Sequence, residues 1–126
     1  MSIVTDEYRG AREYVLAYCE MVNAARYAGT TTYQAIAQIM GLPLQGNYMA
    51  NEVGKVIGAI SEDEHNHGRP MLSAIVVNVN GRPGGGFFDL ARKLGRLEGQ
   101  SKEAEDRFWE KEKAAVYETW RREFKA

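Results

Sequence analysis

The apolar positions along the chain change from helical to extended spacing and back. Between residues 6 and 28, apolar side chains recur at steps of three and four, which predicts a helix. Shorter helices are predicted over 33–40 and, capped by a preceding asparagine, over 48–60. Residues 72–79 are rich in β-branched side chains and predict a strand that reverses at Asn80-Gly81.

The segments after this turn complete the predicted fold. A glycine-rich returning arm ends at Phe87-Phe88, whose bulk must be buried, and a last helix starts at the cap Ser101. Two short helices followed by a strand and a returning arm are the layout of a winged helix-turn-helix, so we predict an α+β fold. The predicted boundaries are residues 1–126 for the single domain, about 30–88 for the winged-helix core, and 6–28 and 101–124 for the long flanking helices.

Composition limits the classes of protein that fit. The 16 basic and 17 acidic residues nearly cancel, which counts against a non-specific nucleic-acid binder but allows one with a single basic face. The single Cys19 fits a reducing compartment. We find neither a membrane-length apolar run nor a basic-then-apolar export signal, so we predict a cytoplasmic protein that does not enter membranes.

Four short motifs resemble those of a known family. They are Thr31-Thr32-Tyr33 followed by IAQIMG, Val53-Gly54 followed by Gly58, Arg69-Pro70-Met71-Leu72-Ser73, and Asn80-Gly81-Arg82 followed by Gly86-Phe87. This arrangement resembles the C-terminal domain of the alkylguanine-DNA alkyltransferases and their alkyltransferase-like relatives. The resemblance covers about half of the chain, and it implies a winged helix that binds double-stranded DNA.

In the same alignment, this sequence lacks the reactive residues of that family. Met71 stands where the family has its nucleophilic cysteine, and Leu72 where it has the activating histidine. Alkyl transfer needs an activated thiolate, so the resemblance implies a protein that is not an enzyme, with no catalytic residue and no cofactor. Asn51 stands in place of the arginine that occupies the space of a flipped base. The chain also resembles a group of bacterial and phage proteins with GRPMLSA, PGxGFF and a closing FWE…W helix, a group that implies no activity.

One set of residues could read DNA from the second helix and the wing. Asparagine is a good partner for adenine, and lysine and arginine neutralise phosphate. Glu52 lies on the same arc, however, so a solvated polar face is the alternative. The predicted DNA-binding residues are Tyr33, Asn47, Tyr48, Asn51, Lys55 and Arg82.

Other polar groups give weaker indications. His65 and His67 lie beside three carboxylates, but in a predicted loop without a second ligand pair, so we predict no metal site. Nothing in the sequence predicts burial for the carboxylates at 62–64, so an acid–base role is not favoured.

The run GRPGGG is not predicted to enter a helix as a phosphate loop does, which favours a wing tip. Arg69 and Ser73 could line a small pocket, with a plain strand start as the alternative.

We therefore predict a non-enzymatic DNA-binding protein, for which a regulatory role is one option. The alternative is a protein-interaction module that acts through the aromatic C-terminal helix and ignores nucleic acid. The same helix could instead pack on its own chain or form a homodimer. Its apolar side chains are Phe108, Trp109, Val116, Trp120 and Phe124.

Overall fold

Five α-helices account for most of residues 2–122, which are the residues that the structure, a computed structural model, describes. Helices make up 62% of the structure and two very short strands only 3%. The protein is therefore a small, mainly helical protein, and the prediction of an α+β winged helix-turn-helix is wrong. In chain order the elements are α1 (Arg12–Arg26), β1 (Thr31–Thr32), α2 (Tyr33–Met40), α3 (Asn47–Asn66), a 3-10 helix (Leu72–Ile75), β2 (Val76–Val77), α4 (Gly85–Lys93) and α5 (Lys102–Trp120).

The segment predicted as the long strand of the wing, residues 72–79, folds as the 3-10 helix followed by β2. Strand β2 pairs in parallel with β1, and not with the chain that follows Asn80-Gly81. The register places Thr31 opposite Val76 and Thr32 opposite Val77. All residues from 71 to 77 are buried, so their β-branched side chains fill the core between helices. Only the two residues of β1 pair with this segment, so it does not form the long strand that its residues prefer.

The returning arm of the predicted wing is also replaced by a helix. A turn at Asn80-Gly81 does form, with Gly81 at φ +78°. The chain then reaches Gly84, which caps α4, and the next two glycines form the first turn of that helix. Phe87 and Phe88 are buried, as the sequence predicted.

Helix α3 continues to Asn66, through an acidic stretch that the sequence pattern predicts as a loop. Tyrosine hydroxyls from the N-terminal part of the chain donate to its carboxylates. The pairs are Tyr8 with Glu52 (2.6 Å), Tyr14 with Asp63, and Tyr18 with Glu64 (3.1 Å). These distant donors satisfy charges that would otherwise require solvent, and the backbone N–H of Ile3 and the guanidinium of Arg9 do the same for Glu62. The helix therefore extends along the protein and buries Glu62 and Glu64.

Several helix ends agree with the sequence because capping is local. The hydroxyls of Thr32 and Ser101 accept from the backbone N–H three residues on, at 3.0 and 3.1 Å, and begin α2 and α5. Gly41 ends α2 in the left-handed conformation, at φ +75°. The first helix is shorter than predicted at both ends, and Gly10 at φ +82° separates it from the turns before it.

Helix α5 packs against its own chain. Trp109 and Val116 are buried, and the indole N–H of Trp109 donates to the carbonyl of Ala74 at 2.9 Å. Phe108 lies against Phe87, with ring centroids 5.7 Å apart. Trp120 makes an edge contact with Tyr18, and Phe124 lies outside the described residues. The homodimer through these side chains stays a prediction, and it would require Trp109 and Val116 to leave the core.

Candidate functional site

A cleft of about 820 Å³ separates the first half of α3 from the start of α4. This volume lies within the range of small-molecule and cofactor sites. The N-terminal segment contributes Ile3 and Val4 to the lining, and α2 contributes Tyr33. Most of the surface of the lining is apolar, although nine of the lining residues have polar side chains. The polar side chains among the lining residues are Tyr33, Tyr48, Asn51, Glu52, Lys55, Ser73, Asn78, Asp89 and Lys93.

The α3 wall carries a polar stripe at helical spacing. Tyr48, Asn51 and Lys55 recur at steps of three and four, and Tyr48 is 64% exposed. The ammonium of Lys55 lies 2.8 Å from Glu52 and 3.2 Å from Glu7. Hydrogen bonds to these two carboxylates raise the pKa of Lys55, so the side chain stays charged. In return, hydrogen bonds from Lys55 and Tyr8 lower the pKa of Glu52.

The α4 wall is the N-terminal end of a helix. The backbone N–H of Gly84 donates to the hydroxyl of Tyr33 at 3.3 Å. A Cβ atom at residue 84 would lie 2.8 Å from that hydroxyl, so any other residue there would require the Tyr33 side chain to shift. Burial raises the pKa of Tyr33, and the Gly84 N–H opposes this shift. Within the described chain, the N–H groups of Gly85 and Gly86 have no acceptor, as is usual for a first helical turn, and these residues line the cleft.

At three of the glycines that line the cleft, neither the backbone conformation nor the packing of the described chain requires glycine. Gly54 lies within α3, and Gly85 and Gly86 open α4, all without a positive φ. A Cβ atom at any of them would meet no other atom within 4 Å. Glycine in an exposed helix interior costs about 1 kcal/mol relative to alanine. By contrast, a Cβ atom at Gly58 would lie 3.5 Å from the side chain of Val4, in ordinary van der Waals contact with the N-terminal segment.

The charges that line the cleft are balanced. Lys55 and Lys93 contribute two positive charges, and Glu52 and Asp89 contribute two negative charges. Lys93 is exposed, and no carboxylate of the described chain forms an ion pair with it. The free positive groups of the cleft are therefore Lys93 and the N-terminal end of α4.

The structure brings together four of the six predicted DNA-binding residues, since Tyr33, Tyr48, Asn51 and Lys55 all line the cleft. Asn47 is exposed at the first position of α3 but does not line the cleft, and Gly46 rather than Asn47 caps that helix. Arg82 lies elsewhere. Its guanidinium is 2.6 Å from Asp106 and lies over the ring of Trp109 at 5.2 Å.

The predicted pocket of Arg69 and Ser73 does not form as one site. Ser73 lines the cleft, where it is buried and 2.7 Å from the hydroxyl of Ser61. Arg69 instead pairs with Glu64 at 2.8 Å and lies over the ring of Trp120. Met71, at the position of the family nucleophile, is fully buried.

The two histidines and the buried carboxylates have structural partners. The Nδ1 atom of His65 accepts from Arg96 at 2.8 Å, and the Nδ1 atom of His67 lies 2.8 Å from the carbonyl of Asp63. Residues 2–122 contain no group of three or more His, Cys, Asp or Glu side chains that could hold a metal ion. Glu62, which the sequence did not predict to be buried, binds the N-terminal segment of the chain.

Sequence reasoning missed the α4 wall. The run GRPGGG does lead into a helix N-terminus, contrary to the expectation that favoured a wing tip. A signal was present, because Phe87, Leu90, Ala91 and Leu94 follow helical spacing directly after the glycines. The position of Lys93 on the cleft depends on how α4 packs against α3, which no local pattern shows.

Comparisons with protein-family models, with curated proteins and with solved structures found no match. The alkyltransferase resemblance thus stays a prediction that rests on its short motifs. Among the described helices, none is long and apolar enough to cross a membrane.

Proposed function

We propose that this protein is a non-enzymatic DNA-binding protein that takes a single strand into the cleft between α3 and α4. The observation that carries the proposal is the convergence of Tyr33, Tyr48, Asn51 and Lys55 on one cleft, opposite the open N-terminal end of α4. Aromatic rings combined with positive groups are the usual means of binding single strands.

Each wall would contact a different part of the strand. The exposed ring of Tyr48 offers a surface on which a base stacks, and the amide of Asn51 can pair with a base edge. Lys93 offers positive charge, and the N–H groups of Gly85 and Gly86 offer donors, to different phosphates of the strand, because they lie at opposite ends of α4. The ammonium of Lys55 already pairs with two carboxylates, so Lys55 contributes less to phosphate binding than Lys93 does.

The shape of the site favours a single strand over a duplex. A helix reads duplex DNA by entering the major groove, which is about 12 Å wide, and so it must protrude from the protein. Here the polar stripe of α3 lines a concave cleft, with α4 on the other side. A single strand is thin enough to enter such a cleft.

The proposal includes no catalytic step. Met71, where the family resemblance places the nucleophile, is buried, and Cys19 lies exposed on α1, away from the cleft lining. We further propose a cytoplasmic location, which the single free thiol of the chain supports.

The test is a fluorescence-anisotropy titration of the full chain with labelled single-stranded and duplex DNA of equal length, at several salt concentrations. We expect tighter binding of the single strand. Its affinity should fall with salt at a slope no steeper than about −1.4, since at most two lysines contact phosphate and each contributes about 0.7 for single strands. Lys93→Gln should reduce the slope by about 0.7.

The matched control is Lys111→Gln, an exposed lysine of α5 outside the cleft, which should leave both affinity and slope unchanged. Tighter binding of the duplex, or an effect of Lys111→Gln equal to that of Lys93→Gln, would contradict the assignment of the cleft. The absence of binding to either form of DNA would refute the proposed function.

A further inference from the structure

Both helical walls of the cleft contain glycines, so each wall has positions without a side chain. Gly54 leaves the backbone of α3 bare between Asn51 and Lys55, and Gly85 and Gly86 leave the start of α4 bare. The other two glycines of the lining lie beside other parts of the chain. A Cβ atom at Gly58 would touch Val4 at 3.5 Å, and one at Gly84 would lie 2.8 Å from the hydroxyl of Tyr33.

Neither backbone conformation nor packing explains the three open glycines. All lie in helices without a positive φ, where alanine is the better helix former. Their Cβ positions are empty, so a methyl group at each could be accommodated in the unliganded protein. What a methyl group would obstruct is the open space of the cleft itself.

We call the space between Gly54 on one wall and Gly85 and Gly86 on the other the slot. A flat group can lie against a helix at a glycine, because no side chain holds it away from the main chain. The lining beside the slot is apolar and includes Met49, Ile57, Phe87 and Leu90, and the ring of Tyr48 lies nearby on α3. Apolar walls suit the faces of a planar ring, and Asn51 and Asn78 can reach its polar edge.

We propose that this slot receives one planar heteroaromatic ring, a nucleobase, which lies against α3 at Gly54 and opposite Gly85 and Gly86. The inference rests on the proposed function and adds the part of the nucleic acid that enters the cleft. The base can belong to a DNA strand or to a free nucleotide. The chemistry of recognition is the same, and the experiment separates the two sources.

The experiment compares three probes on the full chain: a ten-residue deoxyadenosine strand, an abasic strand of the same length, and adenosine monophosphate as competitor. We expect the deoxyadenosine strand to bind at least tenfold more tightly than the abasic strand. If the slot binds the base of a strand, adenosine monophosphate should displace the strand only at a concentration much higher than that of the strand. If the site is one for free nucleotides, the monophosphate should bind more tightly than the strand.

The decisive variants are Gly54→Ala and Gly86→Ala. Both substitutions should raise the melting temperature of the protein, because alanine is a better helix former than glycine. For Gly54→Ala we expect an increase of a few degrees. Each should weaken binding of the deoxyadenosine strand at least tenfold and leave binding of the abasic strand unchanged. The control Gln38→Ala changes an exposed position of α2 outside the cleft and should alter neither affinity.

The outcomes distinguish this inference from the proposed function. Equal binding of the abasic strand would overturn the base slot and leave strand binding intact. Glycine variants that are more stable and bind the deoxyadenosine strand as wild type does would also overturn it. If neither strand nor the monophosphate binds, both proposals fail, and binding of the monophosphate alone would support the slot while refuting strand binding.

Discussion

The buried carboxylate of Glu62 provides the sharpest test of how the N-terminal segment is held beside the cleft. Its oxygens accept from the hydroxyl of Ser2 at 2.7 Å and from the backbone N–H groups of Ile3 and Val4 at 2.6 and 3.3 Å. The guanidinium of Arg9 lies 2.6 Å away. Ile3 and Val4 in turn line the cleft. Glu62→Gln keeps the size of the side chain but removes its charge and one acceptor oxygen.

The magnitude follows from the pKa of this group. Burial alone would raise the pKa of Glu62, but hydrogen bonds from Ser2, Ile3, Arg9 and Val4 outweigh it and lower the pKa from 4.5 to about 2. Each pKa unit corresponds to about 1.4 kcal/mol, so the ionised form stabilises the fold by roughly 3 kcal/mol at pH 7. We expect Glu62→Gln to lower the free energy of unfolding at pH 7 by about that amount.

The loss should depend on pH in a defined direction. A carboxylate whose pKa is lowered in the folded state contributes its full stability above the pKa of the unfolded state. The contribution is lost as pH falls from about 4.5 towards 2. The difference between wild type and Glu62→Gln should therefore shrink from about 3 kcal/mol at pH 7 to roughly 1.4 kcal/mol at pH 3.

Urea unfolding followed by circular dichroism between pH 3 and pH 7 measures this difference. The control is Glu110→Gln, an exposed glutamate of α5 whose lysine partner lies 3.4 Å away, and its effect should stay below about 0.5 kcal/mol at every pH. A difference for Glu62→Gln that is below 1 kcal/mol at pH 7, or that does not change with pH, would refute the assigned role of the carboxylate.

Two further substitutions test how α5 is held. Glu112 accepts from the buried N–H of Met71 at 2.8 Å and from Arg96 at 2.9 Å, so Glu112→Gln should cost about 2–3 kcal/mol in urea unfolding. An effect below 1 kcal/mol would contradict this anchoring. Trp109→Phe leaves the carbonyl of Ala74 without its donor and should cost about 2 kcal/mol, measured in the same way, and a neutral result would contradict the assigned hydrogen bond.

Local chemistry explains what could be predicted of the fold. The bounds of α2 and the start of α5 follow from Thr32, Gly41 and Ser101, because capping hydroxyls and left-handed glycines act within a few residues along the chain. The polar stripe of Tyr48, Asn51 and Lys55 could be predicted for the same reason, since helical spacing alone places these side chains on one face.

The fold class was predicted wrongly because it depends on interactions between residues that are distant in the sequence. The β-branched segment 72–79 has a strong preference for a strand, but helices surround it and only the two residues of β1 are available to pair with it. Likewise, α3 extends through its acidic stretch because Tyr14 and Tyr18 donate to Asp63 and Glu64. These partners lie more than 40 residues away in the sequence, at separations of 49 and 46. No local pattern contains such pairs.

The sequence by itself thus determined several helix ends and the polar stripe of α3, because both depend on neighbours within one or two turns. It also indicated that Phe87 and Phe88 are buried, because of their large apolar side chains. Tertiary structure alone decided that this stripe lines a cleft, that Gly85 and Gly86 stand on the opposite side, and that Arg82 pairs elsewhere. A cleft is a relation between elements distant in the chain, and it exists only once the helices have packed.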